Sequence, residues 1–285
     1  MEQVIANSIM LSFLFVLFAL GLSLIFGIMR VINFAHGEVY MLGAYGVWLF
    51  TDILNLNFFL GMVLSMLAVG LLWVILERSI LKPFRGNLLP AAIVTLGLLW
   101  IFQATMLLTA GTENKSVDFP QILQGTVSLA GATLSQERIF TIVIGVILTI
   151  ALLLFLSKTK AGRSMRAATQ NPDAARLMGV NIDRVSSLAI GIGCALAAAG
   201  GALAGGLFYI NPYIGGPQLL TGFVIIIIGG LGSIPGTIVA ALIVGFISSI
   251  TTTYLGSNYA GMLVFLAAIV VLLIRPKGLL GIEEM

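Results

Sequence analysis

Charged residues are scarce in this sequence: they make up 9% of its 285 residues, whereas hydrophobic residues make up 59%. A soluble domain carries roughly 25% charged residues. The mean hydropathy of +1.12 points the same way. The composition therefore excludes a soluble globular domain and predicts a polytopic membrane protein.

Cysteine and catalytic motifs are nearly absent. The single cysteine, Cys194, lies in an apolar stretch, which excludes a disulfide framework and a cysteine zinc site. There is no G-x-x-x-x-G-K-[ST] phosphate loop, H-E-x-x-H motif or G-x-S-x-G motif. One histidine and 11 carboxylates leave little for acid–base catalysis. We expect no enzyme activity, no metal and no cofactor bound by this chain.

Apolar runs instead dominate the chain and predict nine membrane spans, some of them short or broken. We therefore predict an all-α fold: one polytopic transmembrane helical bundle of about eight to ten spans in a single domain, residues 1–285. The first run is expected to be retained rather than removed as a signal peptide. The loop Gly111–Arg138 contains alternating pieces that could pair as a hairpin. The predicted spans are Ile5–Ile28, Gly37–Asp52, Phe58–Leu76, Pro90–Ala110, Ile139–Leu156, Val185–Tyr209, Gln218–Gly232, Pro235–Tyr254 and Tyr259–Ile274.

The basic residues test this span count. Of the 14 Lys and Arg residues, only Lys115 and Arg138 fall on one side when nine spans alternate. By the positive-inside rule the richer side is cytoplasmic, which predicts an external N-terminus and a cytoplasmic C-terminus. This rule explains the net charge of +3 better than nucleic-acid binding does. The residues on the richer side are Arg30, Arg78, Lys82, Arg85, Lys158, Lys160, Arg163, Arg166, Arg176, Arg184, Arg275 and Lys277.

The polar segment Lys158–Arg184 interrupts the apolar runs and is predicted to be cytoplasmic. Asn171 is a suitable N-cap, Pro172 suits the first helical position, and Gly179 suits a left-handed C′ position, so we predict a helix over Pro172–Met178. A second basic helical turn is predicted upstream, where two arginines stand three residues apart. Two interpretations remain open: a contact surface for a separate motor protein, or a solvated loop that fixes topology by its charge.

The stretch 33–40, NFAHGEVY, places the only histidine beside a carboxylate where the second span begins. Three interpretations of Glu38 are open: anchoring at the headgroups, a gate held by hydrogen bonds, or contact with a substrate or a proton. The segment starting at Gly37 weakly matches the segment starting at Gly216, and the two would run in opposite directions, as an inverted repeat would give.

A second irregular stretch, 229–236, GGLGSIPG, combines several glycines with a proline, so it breaks a helix. Most small-residue faces in such a protein serve close helix packing. Irregular backbone is tolerated at membrane depth beside protein or a water-filled path, so a gating role is the alternative.

Six blocks of the sequence stand out by their order and spacing: RVINFAHGEVYMLGAY at 30–45, the Glu77-Arg78 and Lys82-Pro83 turn, MGVNIDR at 178–184, INPYIG at 210–215, GGLGSIPG at 229–236 and RPKGLLG at 275–281. Together they resemble the permease subunit of branched-chain amino acid ABC importers, the LivH type. The resemblance covers nearly the whole chain and implies a bacterial or archaeal cell (inner) membrane. The seventh span, TGFVIIII at 221–228, is more β-branched than the small-residue pattern of that family, and the external loop is short.

The resemblance implies partners: a second homologous permease, two cytoplasmic ATP-binding subunits that bind ATP and Mg²⁺, and an extracytoplasmic solute-binding protein, within membrane lipid and without nucleic acid. It implies that a coupling segment, residues 158–184, contacts the ATP-binding subunits. The expected coupling residues are Arg163, Arg166, Pro172, Asp173, Ala174, Arg176 and Gly179. The expected path or gate residues are Asn33, His36, Glu38, Tyr40, Gly229, Gly230, Gly232 and Pro235.

Several rival functions remain open beside an amino acid importer. A self-sufficient secondary transporter is expected to carry coupling carboxylates near the bilayer midplane, and the sequence predicts none there. A passive channel also remains open, as does a permease of the same type for a different solute such as urea. An intramembrane enzyme is the most distant rival.

Overall fold

The chain folds almost entirely into helices, as the computed structural model shows for residues 2–129 and 132–281. Its described part also contains one antiparallel hairpin, β1 (Thr126–Leu129) with β2 (Ala132–Ser135), so the hairpin predicted for the long loop is confirmed. The α-helices are α1 (Glu2–Met29), α2 (His36–Trp48), α3 (Phe58–Leu76), α4 (Leu88–Ala110), α5 (Gln136–Lys158), α6 (Lys160–Gln170), α7 (Pro172–Leu177), α8 (Ile182–Leu207), α9 (Gly215–Gly229), α10 (Ile234–Tyr254) and α11 (Ser257–Ile274).

Seven of these helices are long and apolar enough to cross a membrane: α1, α3, α4, α5, α8, α10 and α11. The second and seventh predicted spans are the short helices α2, which continues as a π-helical turn over Leu49–Ile53, and α9. The chain is therefore a multi-pass membrane protein with the predicted all-α bundle, in which two spans are short.

Helices α1 and α8 form the centre of the bundle and are mostly buried. They cross where Gly21 meets Gly193, since a Cβ atom on either residue would overlap the backbone of the other. In lipid such close approach supplies the packing that holds helices together. The peripheral helices α4 and α11 instead expose large apolar side chains such as Leu108 and Leu273, which suits contact with lipid or another apolar surface.

The helices α1, α2 and α3 have counterparts in α8, α9 and α10 that run in the opposite sense. Helix α1 packs antiparallel on α10, and α8 packs antiparallel on α3. The beginnings of α2 and α9 meet at Gly37 and Gly215, from which the two helices diverge toward opposite ends of the bundle. This is the inverted arrangement that the weak sequence match indicates.

The two ends of the bundle differ in charge. At one end, the basic end, several segments lie together: the end of α1, the connection from α3 to α4, helices α6 and α7, the turn from α9 to α10 and the segment after α11. At the other end, Lys115 pairs its backbone with Ile210 and stands 5.5 Å from the ring centre of Trp48, while Arg138 donates to Asn7. The predicted separation of the basic residues is thus present in the fold.

Candidate functional site

Helix α7 has the ends that the sequence predicts. The Asn171 side chain accepts hydrogen bonds from the backbone N–H groups of the next helical turn, at 3.1 and 3.0 Å, and Pro172 begins the helix. Gly179 has φ +83°, a left-handed conformation that most other residues avoid. The helix ends at Leu177, within one residue of the prediction.

Helix α6 is longer than the basic turn predicted for this region. One face, formed by Gly162, Met165 and Ala168, is buried against the bundle. The opposite face carries Arg163 and Arg166, both exposed. The amphipathic pattern therefore presents both arginines to the surroundings at the basic end, and they share a surface with α7.

The exposed side of α7 combines charge with apolar surface. Asp173 and Arg176 form an exposed ion pair at 3.7 Å, which contributes little stability, and Ala174 is exposed beside them. Leu177 is 89% exposed and Met178 is 85% exposed. These two residues were not predicted as contact residues, although an apolar pair at the end of a polar helix is the signal that could have identified them.

A groove of about 470 Å³ lies beside this projecting helix, between α6 and the connection from α7 to α8. Its lining includes Ala161, Ser164, Met178, Gly179, Asn181 and Arg184. The basic end thus carries a projecting helix with a groove beside it.

An ion cluster, buried at Glu77 and exposed at Lys82 and Asp183, lies at the end of the coupling segment. Glu77, which begins a π-helical turn after α3, is fully buried and forms an ion pair with Arg85. Ser187 of α8 donates a hydrogen bond of 2.8 Å to the other carboxylate oxygen of Glu77. Arg85 also contacts Asp183 at 2.5 Å, and Lys82 contacts the same carboxylate at 2.8 Å.

This ion cluster joins the connection from α3 to α4 with the first turn of α8, where the coupling segment ends. The sequence alone indicates only a basic turn here, since the partners Glu77 and Ser187 are 110 residues apart in the chain. These contacts therefore connect the start of α8 with the end of α3 and the segment that leads to α4.

A second connection runs from α6 to the turn between α9 and α10. A Cβ atom on Gly27, near the end of α1, would lie 3.2 Å from the Cα of Gly232 and 3.5 Å from the methyl carbon of Thr169. Thr169 belongs to α6, so the coupling segment, the end of α1 and this turn converge at one point.

Four predicted path or gate residues lie in or beside that turn: Gly229, Gly230, Gly232 and Pro235. Gly230 and Gly232 have φ of +99° and +79°, and Gly229 packs directly on the backbone at the start of α10. The segment after α11 covers the turn, with hydrogen bonds to the last carbonyls of α9 at 2.7 and 3.1 Å. The structure does not bring these residues together with the remaining predicted path residues.

The remaining four, Asn33, His36, Glu38 and Tyr40, are buried halfway along α1. Nε2 of His36 lies 3.2 Å from the carbonyl oxygen of Phe18, which precedes the end of α1 by about 16 Å along the helix. The chain therefore turns back toward the middle of the bundle after Met29, before α2 begins.

This depth corrects two expectations about Glu38. The carboxylate lies within the bundle, 1% exposed, rather than at a headgroup boundary, so the anchoring interpretation is the least consistent with the structure. Contrary to the expectation of no carboxylate at mid-span, Glu38 lies inside the bundle, two residues after His36, which contacts the middle of α1. Within the described ranges, Asn33 Nδ2, His36 Nδ1 and Glu38 Oε2 have no hydrogen-bond partner. Unpaired buried groups are costly, which favours a gate or a contact site over simple packing.

The meeting of α2 and α9 leaves no room for a side chain at Gly37. We expect Gly37→Ala to lower the stability of the purified protein by about 1–3 kcal/mol, because the added methyl group would overlap the backbone of Gly215. Gly97→Ala in α4 is the matched control, since nothing lies within 4 Å of its Cβ position. It should leave the melting temperature unchanged or raise it slightly. Equal melting temperatures for both variants would contradict the close crossing.

The chain is similar in sequence to known membrane permeases. The family model described as the permease component of branched-chain amino acid transport systems matches residues 4–273. The high-affinity branched-chain amino acid transport system permease protein LivH of Salmonella typhimurium is 32% identical over 300 residues, covering 99% of this chain and 96% of the relative.

Two further relatives extend the similarity to other organisms. The corresponding protein BraD of Pseudomonas aeruginosa is 31% identical over 297 residues, with 99% of this chain and 96% of the relative covered. A probable branched-chain amino acid transport permease protein LivH of Methanocaldococcus jannaschii is 27% identical over 299 residues, with 99% and 93% covered. No solved structure matches the chain.

Proposed function

The chain belongs to the family of branched-chain amino acid transport system permease components, and from this membership we propose that it is the membrane-spanning subunit of an ATP-driven importer for branched-chain amino acids. The observation that carries the proposal is helix α7, which projects two exposed apolar side chains from a basic segment at one end of an apolar bundle. Such a feature suits a docking site for a separate motor subunit.

Coupling would begin where the ATP-binding subunits contact α6 and α7. Arg163 and Arg166 supply positive charge that steers and orients the partner, while the apolar end of α7 supplies buried area. Closure of the two ATP-binding subunits would pull on the coupling segment. The ion cluster would carry this movement to α3, α4 and α8, and the contact at Thr169 would carry it to α1 and the turn after α9.

The gate would lie where α2 and α9 meet, among Asn33, His36, Glu38 and Tyr40. Helix α9 spans from this meeting point to the turn over Gly229–Gly236, so it links the predicted gate to the basic end. Alternating access would follow from a shift of α9 against α2. The glycines of the turn would serve as its pivot.

The assembly would need partners beyond this chain: a second homologous permease, two ATP-binding subunits and an extracytoplasmic solute-binding protein. ATP and Mg²⁺ would be bound by the ATP-binding subunits, so this chain would carry no cofactor and no enzyme activity of its own. The basic end would face the cytoplasm of a bacterial or archaeal cell, across its inner membrane, with the N-terminus outside. The surface where Asn211 contacts Asn114 would face the solute-binding protein.

The composition of the assembly can be tested directly. Affinity purification of the chain from native membranes, followed by mass spectrometry, should recover ATP-binding and solute-binding subunits together with a second permease. Recovery of the chain without any ATP-binding subunit would count against the importer.

One observation favours a second candidate, a self-sufficient secondary transporter. Such proteins use buried carboxylates near the middle of the membrane to couple ion and solute movement, and Glu38 is buried in the bundle two residues after His36, which contacts the middle of α1. The two functions differ in their requirement for ATP. Solute counterflow by the purified chain alone, without ATP-binding subunits, would favour the secondary transporter.

Charge reversal in α6 tests the docking surface. We expect Arg166→Glu to reduce co-purification of the ATP-binding subunits by about tenfold, as loss of an interfacial charge pair does. Insertion into the membrane should stay normal because the side chain is exposed.

Gly179→Pro should also reduce co-purification of the ATP-binding subunits, since proline cannot adopt the φ of +83° that ends α7. Lys115→Glu at the opposite end is the control, and wild-type recovery of both test variants would contradict the prediction.

A further inference from the structure

A cavity of about 270 Å³ lies between α1, α2, α8 and α9, in the half of the bundle away from the basic end. Leu11, Leu14 and Phe15 of α1 form an apolar wall. Tyr40 of α2 and Gln218 of α9 form its polar floor. The cavity therefore offers an apolar surface for an aliphatic side chain and a polar surface for a headgroup.

One buried hydrogen-bond donor and the positive end of a helix lie at this floor. Helix α9 begins at Gly215, and its positive end favours an anion. Within its first turn, the N–H of Gly216 donates to the carbonyl oxygen of Tyr213 at 3.3 Å, and Pro217 has no N–H. The side-chain nitrogen of Gln218 is buried and has no hydrogen-bond partner in the part of the chain that the structure describes. This donor and the helix end suit a carboxylate.

The carboxyl group of Glu38 lies directly behind the floor. Oε1 of Glu38 would stand 3.0 Å from a Cβ atom on Gly215, and Oε2 has no hydrogen-bond partner among the described residues. No ion pair to Glu38 is found within residues 2–129 and 132–281. A buried carboxylate without a cation is costly, so its position suits a ligand that brings a cationic group.

We propose that this cavity binds the zwitterion of an α-amino acid, with its carboxylate at Gln218 and the start of α9 and its ammonium group at Glu38. The side chain of the ligand lies against the apolar wall of α1. This proposal rests on the importer function and adds to it a binding site within the permease itself. Displacement of the first turn of α9 exposes Glu38 to the ammonium group.

Aromatic contacts connect α1, α2 and α9 beside this site. The Phe34 and Phe223 rings stand 5.6 Å apart, joining the segment before α2 to α9, and Phe18 packs on His36 at 4.8 Å. A ligand at the floor is therefore retained until α9 moves away from α2. The site and the gate share the same helices, which links occupancy to opening.

Competition binding tests the site in the assembled transporter, with both permeases and both ATP-binding subunits in nanodiscs and without the solute-binding protein. The probes are labelled L-leucine, 4-methyl-2-hydroxypentanoate, which lacks the ammonium group, and leucine amide, which lacks the carboxylate. Each analogue should compete at least about tenfold more weakly than leucine, as expected for loss of one charged hydrogen bond.

Two variants test which side chain binds the ammonium group of leucine and which binds its carboxylate. Glu38→Gln should remove the preference for leucine over the hydroxy acid and keep the preference for leucine over leucine amide. Gln218→Ala should reduce the preference over the amide and keep the preference over the hydroxy acid, and it tests the site independently if Glu38→Gln does not fold. The control Glu113→Gln changes an exposed carboxylate in the loop after α4 and should leave both preferences intact.

The site is overturned if the wild-type complex does not bind leucine, binds all three compounds equally, or keeps both preferences in both variants. ATP-driven leucine uptake, measured in parallel with the wild-type complex in proteoliposomes together with the solute-binding protein, separates this outcome from failure of the importer function. Uptake with unchanged preferences in the variants refutes the binding site alone. Absence of uptake refutes the importer, while the binding preferences still decide the site.

Discussion

Leu177→Glu is expected to release the ATP-binding subunits from the permease and to abolish ATP-driven transport. Leu177 is 89% exposed at the end of α7, so nothing in the chain itself depends on its packing. If a partner covers this side chain, a buried carboxylate would lose the apolar contact and leave an unpaired charge in the interface. Substituting a central interface residue of this kind lowers the binding free energy by about 2–4 kcal/mol, which reduces the affinity by about 30-fold or more.

Co-purification of the ATP-binding subunits with the variant provides the measurement, and the melting temperature of the isolated permease should not change. Ile122→Glu is the matched control, because Ile122 is an equally apolar side chain, 77% exposed, at the opposite end of the bundle. Normal subunit recovery with Leu177→Glu, or equal loss with Ile122→Glu, would refute α7 as the docking helix.

Arg85→Met is expected to destabilise the protein severely. The substitution removes the ion-pair partner of Glu77, whose carboxylate is fully buried. Breaking a buried ion pair by removing one partner costs about 3–5 kcal/mol, because the remaining charge is left uncompensated. Thermal unfolding of the purified permease in detergent measures the effect. The double variant Glu77→Met/Arg85→Met should recover much of the loss, since it leaves no buried charge unpaired.

The control for this prediction is Lys82→Met within the same cluster. Lys82 contacts Asp183 at 2.8 Å, but both side chains are about half exposed, so the pair should contribute only about 0–1 kcal/mol. A melting temperature for Arg85→Met no lower than that of Lys82→Met would show that the Glu77–Arg85 pair does not hold α3 to the start of α8.

Much of the fold follows from the sequence because its signals are local. The third predicted span, Phe58–Leu76, coincides with α3, since the Asn57 side chain caps its first turn and polar residues follow its last. Helix α7 is equally well determined by Asn171 and Gly179. Length and apolar content suffice for the seven long helices, since a membrane helix must satisfy its own backbone.

The depth of α2 could not be predicted in the same way. The stretch between Met29 and His36 looks like a loop at the membrane surface, yet it carries the chain back toward the middle of the bundle. That course depends on the crossing of Gly37 with Gly215, which is a long-range contact. The position of Glu38, and with it the cavity floor, followed only from the folded chain.

The β-branched seventh span illustrates a further limit. Its departure from the small-residue pattern leaves the substrate open at the level of sequence, because the segment is expected to line the path. In the structure Val224, Ile225, Ile226 and Ile228 are buried in helix packing, while Gln218 at the start of α9 reaches the cavity. Leu177 and Met178 were not predicted as contact residues, because their hydrophobic character alone does not show that they are exposed.

The central claim is that this chain transports only when separate ATP-binding subunits act on α6 and α7. Leucine uptake into proteoliposomes tests it most directly, with the permease pair reconstituted alone and together with the ATP-binding subunits, the solute-binding protein and ATP. We predict uptake only by the full assembly with ATP, and none with Leu177→Glu in that assembly. Concentrative uptake or counterflow by the permease pair alone would contradict the claim.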